Sequence, residues 1–210
     1  QFGFAPTEGQ IQVLQQFVAF LACRQPMSAM LLRGSAGTGK TTLTAAIVRT
    51  LATLGQKVIL MAPTGRAAKV MSVNAGRPAY TIHRKIYRQK TFEGDFNLNE
   101  NLHADTLFVV DEASMIANDG FAQSVFGSGR LLDDLVQYVY HGRNCRMLLI
   151  GDTAQLPPVG EEESPALNTD FMRGYGLTLF EADLTEVLRQ SALSGILYNA
   201  TLIRRMITHD

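Results

Sequence analysis

Residues 34–41 read Gly34-Ser35-Ala36-Gly37-Thr38-Gly39-Lys40-Thr41. This stretch fits the pattern G-x-x-x-x-G-K-[ST], in which a glycine-rich loop turns its backbone N–H groups inward and forms a nest for an anion. The Lys40 ammonium is expected to reach the β- and γ-phosphates of ATP, and the Thr41 hydroxyl to hold Mg²⁺. The predicted nucleotide contacts are Gly34, Ser35, Ala36, Gly37, Thr38, Gly39, Lys40, Thr41 and Thr42.

The sequence on either side of the loop supplies the context that this pattern requires. Residues 29–32 are an apolar run that predicts a short buried strand. Residues 42–54 predict a helix that ends before Gly55, with an apolar face formed by Leu43, Ile47, Leu51 and Leu54. A strand, a loop and a helix in this order place the helix N-terminus against the phosphates.

Further apolar runs alternate with helical patterns along the rest of the chain. They cover residues 57–61, 106–110 and 146–150, with a weaker run at 176–180. Continuous apolar strands between helices indicate an α/β fold, in which helices cover both faces of a parallel sheet. Ligands bind such sheets at the carboxyl ends of the strands, where the polar motifs of this chain fall.

The helical patterns occupy residues 7–21, 64–71, 81–87, 130–140 and 191–206. In the first of them Thr7 and Gln10 have the spacing of a capping box, in which each residue bonds the backbone of the other. Its expected apolar face consists of Ile11, Leu14, Phe17, Val18 and Leu21.

A more polar segment interrupts the alternation after residue 87. Residues 90–92 and 96–98 flank Glu93-Gly94-Asp95, which predicts a β-hairpin with a glycine turn. The polar composition favours an insertion that stands off the core. We therefore expect a main domain of residues 1–87 and 105–210 and a small insertion of residues 88–104.

Two carboxylates follow the strand predicted at 106–110. Asp111 is expected to bind Mg²⁺ opposite the phosphate loop, as an acid at the end of an apolar strand does in nucleotide hydrolases. Glu112 is then placed to orient or deprotonate the attacking water. Two solvated acids at a strand end are the alternative, which the phosphate loop upstream disfavours.

Gln155 lies in the loop that follows the strand predicted at 146–150. Its amide is neutral, so it can position a water or sense a γ-phosphate without adding charge. Pro157 and Pro158 stiffen this loop. The alternative is a plain proline-rich turn.

Composition limits the remaining function classes. The formal net charge is zero, so any surface that binds nucleic acid must be local. The two cysteines lack metal-ligand spacing, which predicts two reduced, buried thiols in a cytoplasmic protein. We found neither a signal peptide nor an apolar run long enough to cross a membrane, so no membrane partner is expected. The chain opens on Gln1, as expected of a processed or shortened chain.

Five stretches together resemble the motifs of superfamily-one helicases, in the RecD and Dda branch. Residues 34–41, 62–68, 111–115 and 151–160 are similar to motifs I, Ia, II and III, and residues 184–190 to motif IV. The match spans residues 6–190, and the Gln-Leu-Pro-Pro run is its most specific part. The resemblance implies a RecA-like motor domain that uses ATP and Mg²⁺ to move 5′ to 3′ on single-stranded DNA.

The resemblance also implies roles for single residues. Gln10 would read the adenine, although the capping box explains it equally well. Pro63, Thr64 and Arg66 would contact the DNA backbone, although Thr64 is also a good helix N-cap.

Three more residues have implied roles. Thr81 and His83 would add a second DNA contact, although a lone histidine is more often structural. Arg189 would contact the γ-phosphate, and its alternative is a surface position on a helix. Phe92 and Phe96 of the hairpin either stack on bases or hold its two strands together.

The chain departs from the resemblance at its end. Nothing after Arg189 resembles a second motor domain, so we expect this chain to be the first motor domain of a longer, monomeric protein. Without an arginine finger from that domain, hydrolysis would be slower by about 10³- to 10⁵-fold. A nucleotide-gated binding module and an RNA-directed NTPase remain the alternative functions, and a small-molecule kinase leaves Gln155 and Arg189 without a role.

Overall fold

The computed structural model of the chain describes residues 6–89, 96–119 and 126–186. The strands are β1 Ser28–Gly34, β2 Lys57–Ala62, β3 Ala79–Thr81, β4 Tyr87–Gln89, β5 Phe96–Leu98, β6 Thr106–Val110, β7 Arg146–Gly151 and β8 Thr178–Leu184. The helices are α1 Glu8–Ala22, α2 Lys40–Thr53, α3 Gly65–Ala75, α4 Ile82–Ile86, α5 Leu131–His141 and α6 Thr169–Arg173, with 3₁₀ turns at Ala113–Met115 and Pro165–Leu167.

Six of the strands form one parallel sheet in the order β3-β2-β6-β7-β1-β8. Successive residues along a strand face opposite sides, so Leu31 joins a core with α4 and α5, while Leu32 joins a second core with α1, α2 and α3. The predicted α/β fold, with helices on both faces of a parallel sheet, is confirmed.

Helix α1 carries the predicted capping box but buries a different face. The Gln10 N–H donates to Thr7 Oγ1 at 3.3 Å, and the Thr7 N–H donates to Gln10 Oε1 at 3.1 Å. The expected face was only partly right: Phe17 is buried as predicted, but Val13 and Phe20 are buried as well, and Val18 is 64% exposed. Apolar residues lie on two neighbouring faces of this helix, so their spacing alone does not determine which face is buried.

Arg146 closes the other end of α1. From β7, its guanidinium donates to the carbonyl oxygens of Phe20 at 2.9 Å, of Leu21 and of Cys23, and it lies 6.0 Å from the centre of the Phe20 ring. These carbonyls belong to the last turn of the helix and to its cap, where intrahelical donors run out and the helix dipole is negative. One side chain therefore fastens α1 to the centre of the sheet.

We expect Arg146→Met to lower the free energy of unfolding by about 2 kcal/mol, since hydrogen bonds from a charged group contribute about 1.5–3 kcal/mol. At this chain length that corresponds to a fall in Tm of about 5 °C, measurable by thermal unfolding. Arg143→Met is the matched control, because Arg143 is exposed three residues earlier in the same segment. Equal melting temperatures for the two variants would contradict this assignment.

Several element ends differ from their predicted positions; helix α3, for example, runs to Ala75 and not to residue 71. Helix α2 ends at Thr53, so Leu54 is its C-cap and is 75% exposed rather than part of the apolar face. Strand β8 runs on to Leu184, past the predicted end at residue 180. The extension was not predicted because Glu181 and Asp183 are polar. Both carboxylates bind the Arg33 guanidinium of β1, each with an oxygen 2.8 Å from a guanidinium nitrogen.

The hairpin is present but does not stand off the core. Strand β5 falls where predicted and pairs antiparallel with β4, whereas the first strand expected at 90–92, with Phe92, lies outside the described residues. The Phe96 ring lies 4.6 Å from that of Phe126, and the Tyr87 hydroxyl donates to the buried Asp134 carboxylate at 2.6 Å. The expected stand-off was wrong because the polar composition concealed two contacts with the main domain, the aromatic pair with Phe126 and the hydrogen bond to Asp134 of α5.

Both cysteines are free thiols; Cys145 is buried as predicted, whereas Cys23 is only partly buried, contrary to the prediction, because it follows the end of α1. None of the helices in the described ranges has the length and apolar character that a membrane span requires. The helix predicted at 191–206 falls outside those ranges.

Candidate nucleotide site at the carboxyl edge of the sheet

The glycine-rich loop joins the end of β1 to the start of α2. Gly37 and Gly39 have φ angles of 82° and 86°, a left-handed conformation that favours glycine. Thr38 is buried and donates its hydroxyl to the Ser35 carbonyl at 2.8 Å, which closes the turn. Helix α2 begins at Lys40, two residues earlier than predicted, so Lys40 and Thr41 lie in its first turn.

Gly34 allows the loop to approach the neighbouring strand closely. A Cβ at this position would lie 2.8 Å from the Leu184 carbonyl oxygen and 2.9 Å from Thr38 Oγ1. Backbone cannot give way as a flexible side chain can, so no other residue fits here without displacing β8 or the loop.

Lys40 and Thr41 face the carboxyl edge of the sheet. The Lys40 ammonium donates to the carbonyl oxygens of Gly34 and Ser35, the latter at 2.8 Å. Thr41 and Asp111 line the same small cleft between α2 and α3. A hydroxyl and a carboxylate in one cleft are oxygen ligands suited to Mg²⁺, so these residues fit the ion that the motif implies.

A hydrogen bond between the Asp111 carboxylate and the next backbone N–H stabilises the turn after β6. Asp111 Oδ1 accepts the Glu112 N–H at 2.9 Å, and Glu112 has a φ of 54°, an uncommon left-handed conformation for a non-glycine residue. Burial raises the pKa of Asp111. A cation at this carboxylate would favour its ionised form and oppose that shift.

Gln155 comes from the neighbouring strand, β7. Its N–H donates to the Asp152 carbonyl at 3.3 Å, and its Oε1 accepts the Ser114 hydroxyl at 3.0 Å. Strands β6 and β7 are adjacent, so the acidic turn and the Gln155 loop lie side by side at one edge. No role for Ser114 is predicted from residues 111–115, because nothing in the local sequence shows which distant side chain it meets.

The predicted DNA contacts cluster at the ends of β2 and β3, where Ala62 pairs with Thr81. Thr64 and Thr81 are helix N-caps, accepting the Ala67 and Arg84 N–H groups, both at 3.2 Å. Pro63 and Arg66 flank Thr64, and Arg66 is exposed. The structure therefore groups these residues on one part of the edge.

His83 packs into an aromatic cluster beside those positions. Its ring lies 5.6 Å from that of Tyr87 and 5.0 Å from that of Phe126. Burial lowers the pKa of His83, so the neutral ring is favoured. This packing gives His83 a structural role whether or not it also contacts DNA.

For two of the predicted nucleotide-binding residues, Gln10 and Arg189, no described interaction places the side chain at the phosphate loop. Gln10 is 3% exposed and its Oε1 is used in the capping box, so its adenine contact stays a prediction. Arg189 lies outside the described residues.

A family model described as an AAA domain matches residues 7–205 of the chain. The ATP-dependent RecD2 DNA helicase of Deinococcus radiodurans is 39% identical over 131 residues, which are 62% of this chain and 16% of that protein. The ATP-dependent DNA helicase dda of Enterobacteria phage T4 is 30% identical over 192 residues, which are 89% of this chain and 40% of that protein. The chain thus spans less than half the length of either relative.

Two solved structures share the fold at low identity. The Pif1 helicase of Candida albicans superposes with a TM-score of 0.56 at 19% identity, covering 96% of this chain and 44% of that one. The Pif1 helicase of Bacteroides, in complex with ADP-AlF3 and ssDNA, gives a TM-score of 0.54 at 19% identity, covering 96% and 47%. Because the family model matches most of its length, the chain belongs to the AAA domain family, and it is similar in sequence to the RecD2 and dda DNA helicases.

Proposed function

We propose that this chain is the ATP-hydrolysing motor domain of a DNA helicase or translocase that moves 5′ to 3′ on single-stranded DNA. The observation that carries the proposal is the shared edge of β1, β6 and β7. It brings together the phosphate loop, the Asp111–Glu112 turn and Gln155.

The proposed roles follow from the chemistry of each side chain. Lys40 and the loop N–H groups bind the β- and γ-phosphates, and Thr41 and Asp111 hold Mg²⁺. An Mg²⁺ ion held by these two residues would neutralise charge on the phosphates. Glu112 takes a proton from the attacking water, and Gln155 orients that water.

The DNA contact is proposed at the ends of β2 and β3. Helix α3 starts there, and the N–H groups of its first turn that the Thr64 cap leaves unbonded favour phosphate oxygens. Arg66 adds a positive charge to the same part of the edge. Because β2 lies next to β6, a movement at the acidic turn reaches the DNA contact through one strand pair.

In the proposed mechanism, a second motor domain of the same polypeptide closes over the nucleotide. We infer that Arg189 joins the γ-phosphate contacts in that closed state. ATP binding and hydrolysis then shift the population between closed and open forms that hold DNA with different strength.

Turnover of ATP by the whole protein, with and without a single-stranded oligonucleotide, tests the proposal. We expect single-stranded DNA to stimulate turnover at least about tenfold, because the DNA and nucleotide sites are coupled through the sheet. An RNA oligonucleotide of the same sequence is the matched control, since only the sugar and one base methyl differ. Turnover indifferent to both would favour a nucleotide-gated module, and preference for RNA would favour an RNA-directed NTPase.

A further inference from the structure

Ser114 links the two catalytic loops of the proposed site. It lies in the 3₁₀ turn Ala113–Met115, which follows the Asp111–Glu112 pair directly. The side chain is fully buried, and its hydroxyl donates to Gln155 Oε1 at 3.0 Å. A buried hydroxyl needs a partner, and here the partner belongs to a different strand end.

The chemistry of the amide makes this hydrogen bond directional. In a glutamine side chain the oxygen only accepts hydrogen bonds and the NH₂ group only donates them. When Ser114 gives its hydrogen to Oε1, the planar amide is fixed in one of its two flipped orientations. The Nε2 hydrogens are then left for an acceptor such as a phosphate oxygen or a water.

Gln155 is exposed to solvent, so its side chain needs a hydrogen-bond partner such as Ser114 to stay in one conformation. An unrestrained glutamine has three rotatable bonds, and ordering it costs conformational entropy. The backbone of its loop is already held, since Asp152 Oδ1 accepts the Ala154 N–H at 2.9 Å and the Asp152 carbonyl accepts the Gln155 N–H. The Ser114 bond extends this order from the backbone to the amide.

The position of Ser114 is itself fixed by close packing. A Cβ on Gly151 would lie 3.0 Å from the Ser114 backbone nitrogen and 2.7 Å from Leu167 Cδ1. The turn therefore sits directly against the end of β7, the strand that carries the Gln155 loop. A shift of the acidic turn must move Ser114, and with it the amide of Gln155.

We propose that Ser114 is a positioning residue that sets the orientation of the Gln155 amide and couples the acidic turn to the Gln155 loop. This inference rests on the proposed ATPase function for its catalytic consequence. The orientation of the Gln155 amide can be measured without any ATP turnover.

The first test compares Ser114→Ala with Ser28→Ala in the whole protein. Ser28 is also buried, at the start of β1, and its hydroxyl has no hydrogen-bond partner in the structure. For Ser114→Ala we expect kcat for ATP to fall about tenfold to a hundredfold, the cost of misplacing a group by about 1 Å. KM should stay unchanged, since the phosphate loop is untouched, and Ser28→Ala should match the wild type. A kcat for Ser114→Ala equal to the wild type would overturn the proposal.

A double-mutant cycle separates positioning from a general structural effect. If Ser114 acts through Gln155, adding Ser114→Ala to Gln155→Ala should cost nothing further. Losses that multiply in the double variant would show that Ser114 acts by another route and would overturn the proposal.

The second readout is the side-chain NMR signal of Gln155 in the 210-residue chain without nucleotide. Loss of the hydrogen bond to Oε1 in Ser114→Ala should shift the Cδ resonance and raise the mobility of the NH₂ group, whereas Ser28→Ala should leave both unchanged. An unaltered Gln155 signal would overturn the inference. A wild-type protein without ATP turnover would instead count against the proposed function, while this spectrum still decides the orientation.

Discussion

Replacing Lys40 by alanine is expected to reduce ATP turnover of the whole protein by at least about 10²- to 10³-fold, the cost of losing one preorganised charge at a developing anion. The physical reason is its place in the first turn of α2, where no other described lysine or arginine binds the loop. Nucleotide affinity should weaken as well, because the ammonium also binds phosphate in the ground state.

The matched control for this prediction is Lys57→Ala. Lys57 is exposed and begins β2, so it lies at the amino edge of the sheet, opposite the phosphate loop. Both variants should keep Tm close to that of the wild type, since partly exposed lysines contribute about 1 kcal/mol or less. Turnover by Lys40→Ala within about threefold of the Lys57→Ala value would show that this loop does not hold the reacting phosphates.

The sequence was sufficient where a local pattern has one structural solution. Strand β6 lies at the predicted residues, because four consecutive apolar residues after Thr106 and before two acids suit a strand buried on both faces. The phosphate loop was predicted for the same reason, since its glycines, lysine and threonine lie next to one another in the sequence and form the loop without distant residues.

The sequence was insufficient where distant residues decide the outcome. Glu181 and Asp183 look like the solvated end of β8 until Arg33 is placed beside them by the strand pairing. Ser114 and Gln155 are 41 residues apart, and their hydrogen bond depends on β6 and β7 being neighbours. The buried stripe of α1 likewise depends on where the sheet lies, not on the helix alone.

Glu112→Gln should lower kcat for ATP by about 10²- to 10⁴-fold while nucleotide affinity is retained, because an amide cannot accept the proton of the attacking water. The change keeps the size of the side chain and leaves the Glu112 N–H bound to Asp111 Oδ1. The left-handed turn at φ 54° should therefore persist, and with it the proposed Mg²⁺ site at Asp111. The measurements are single-turnover hydrolysis and the Kd of a fluorescent ATP analogue.

Two further variants serve as controls for the Glu112→Gln result. Glu100→Gln makes the same chemical change at an exposed glutamate after β5 and should turn over ATP like the wild type. Asp111→Asn should instead raise the Mg²⁺ concentration needed for tight nucleotide binding, because a carboxylate is the ligand lost. If Glu112→Gln weakened binding as Asp111→Asn does, Glu112 would be serving the metal rather than the water. The left-handed turn would then orient a ligand, and the general base would have to be sought elsewhere on the edge of the sheet.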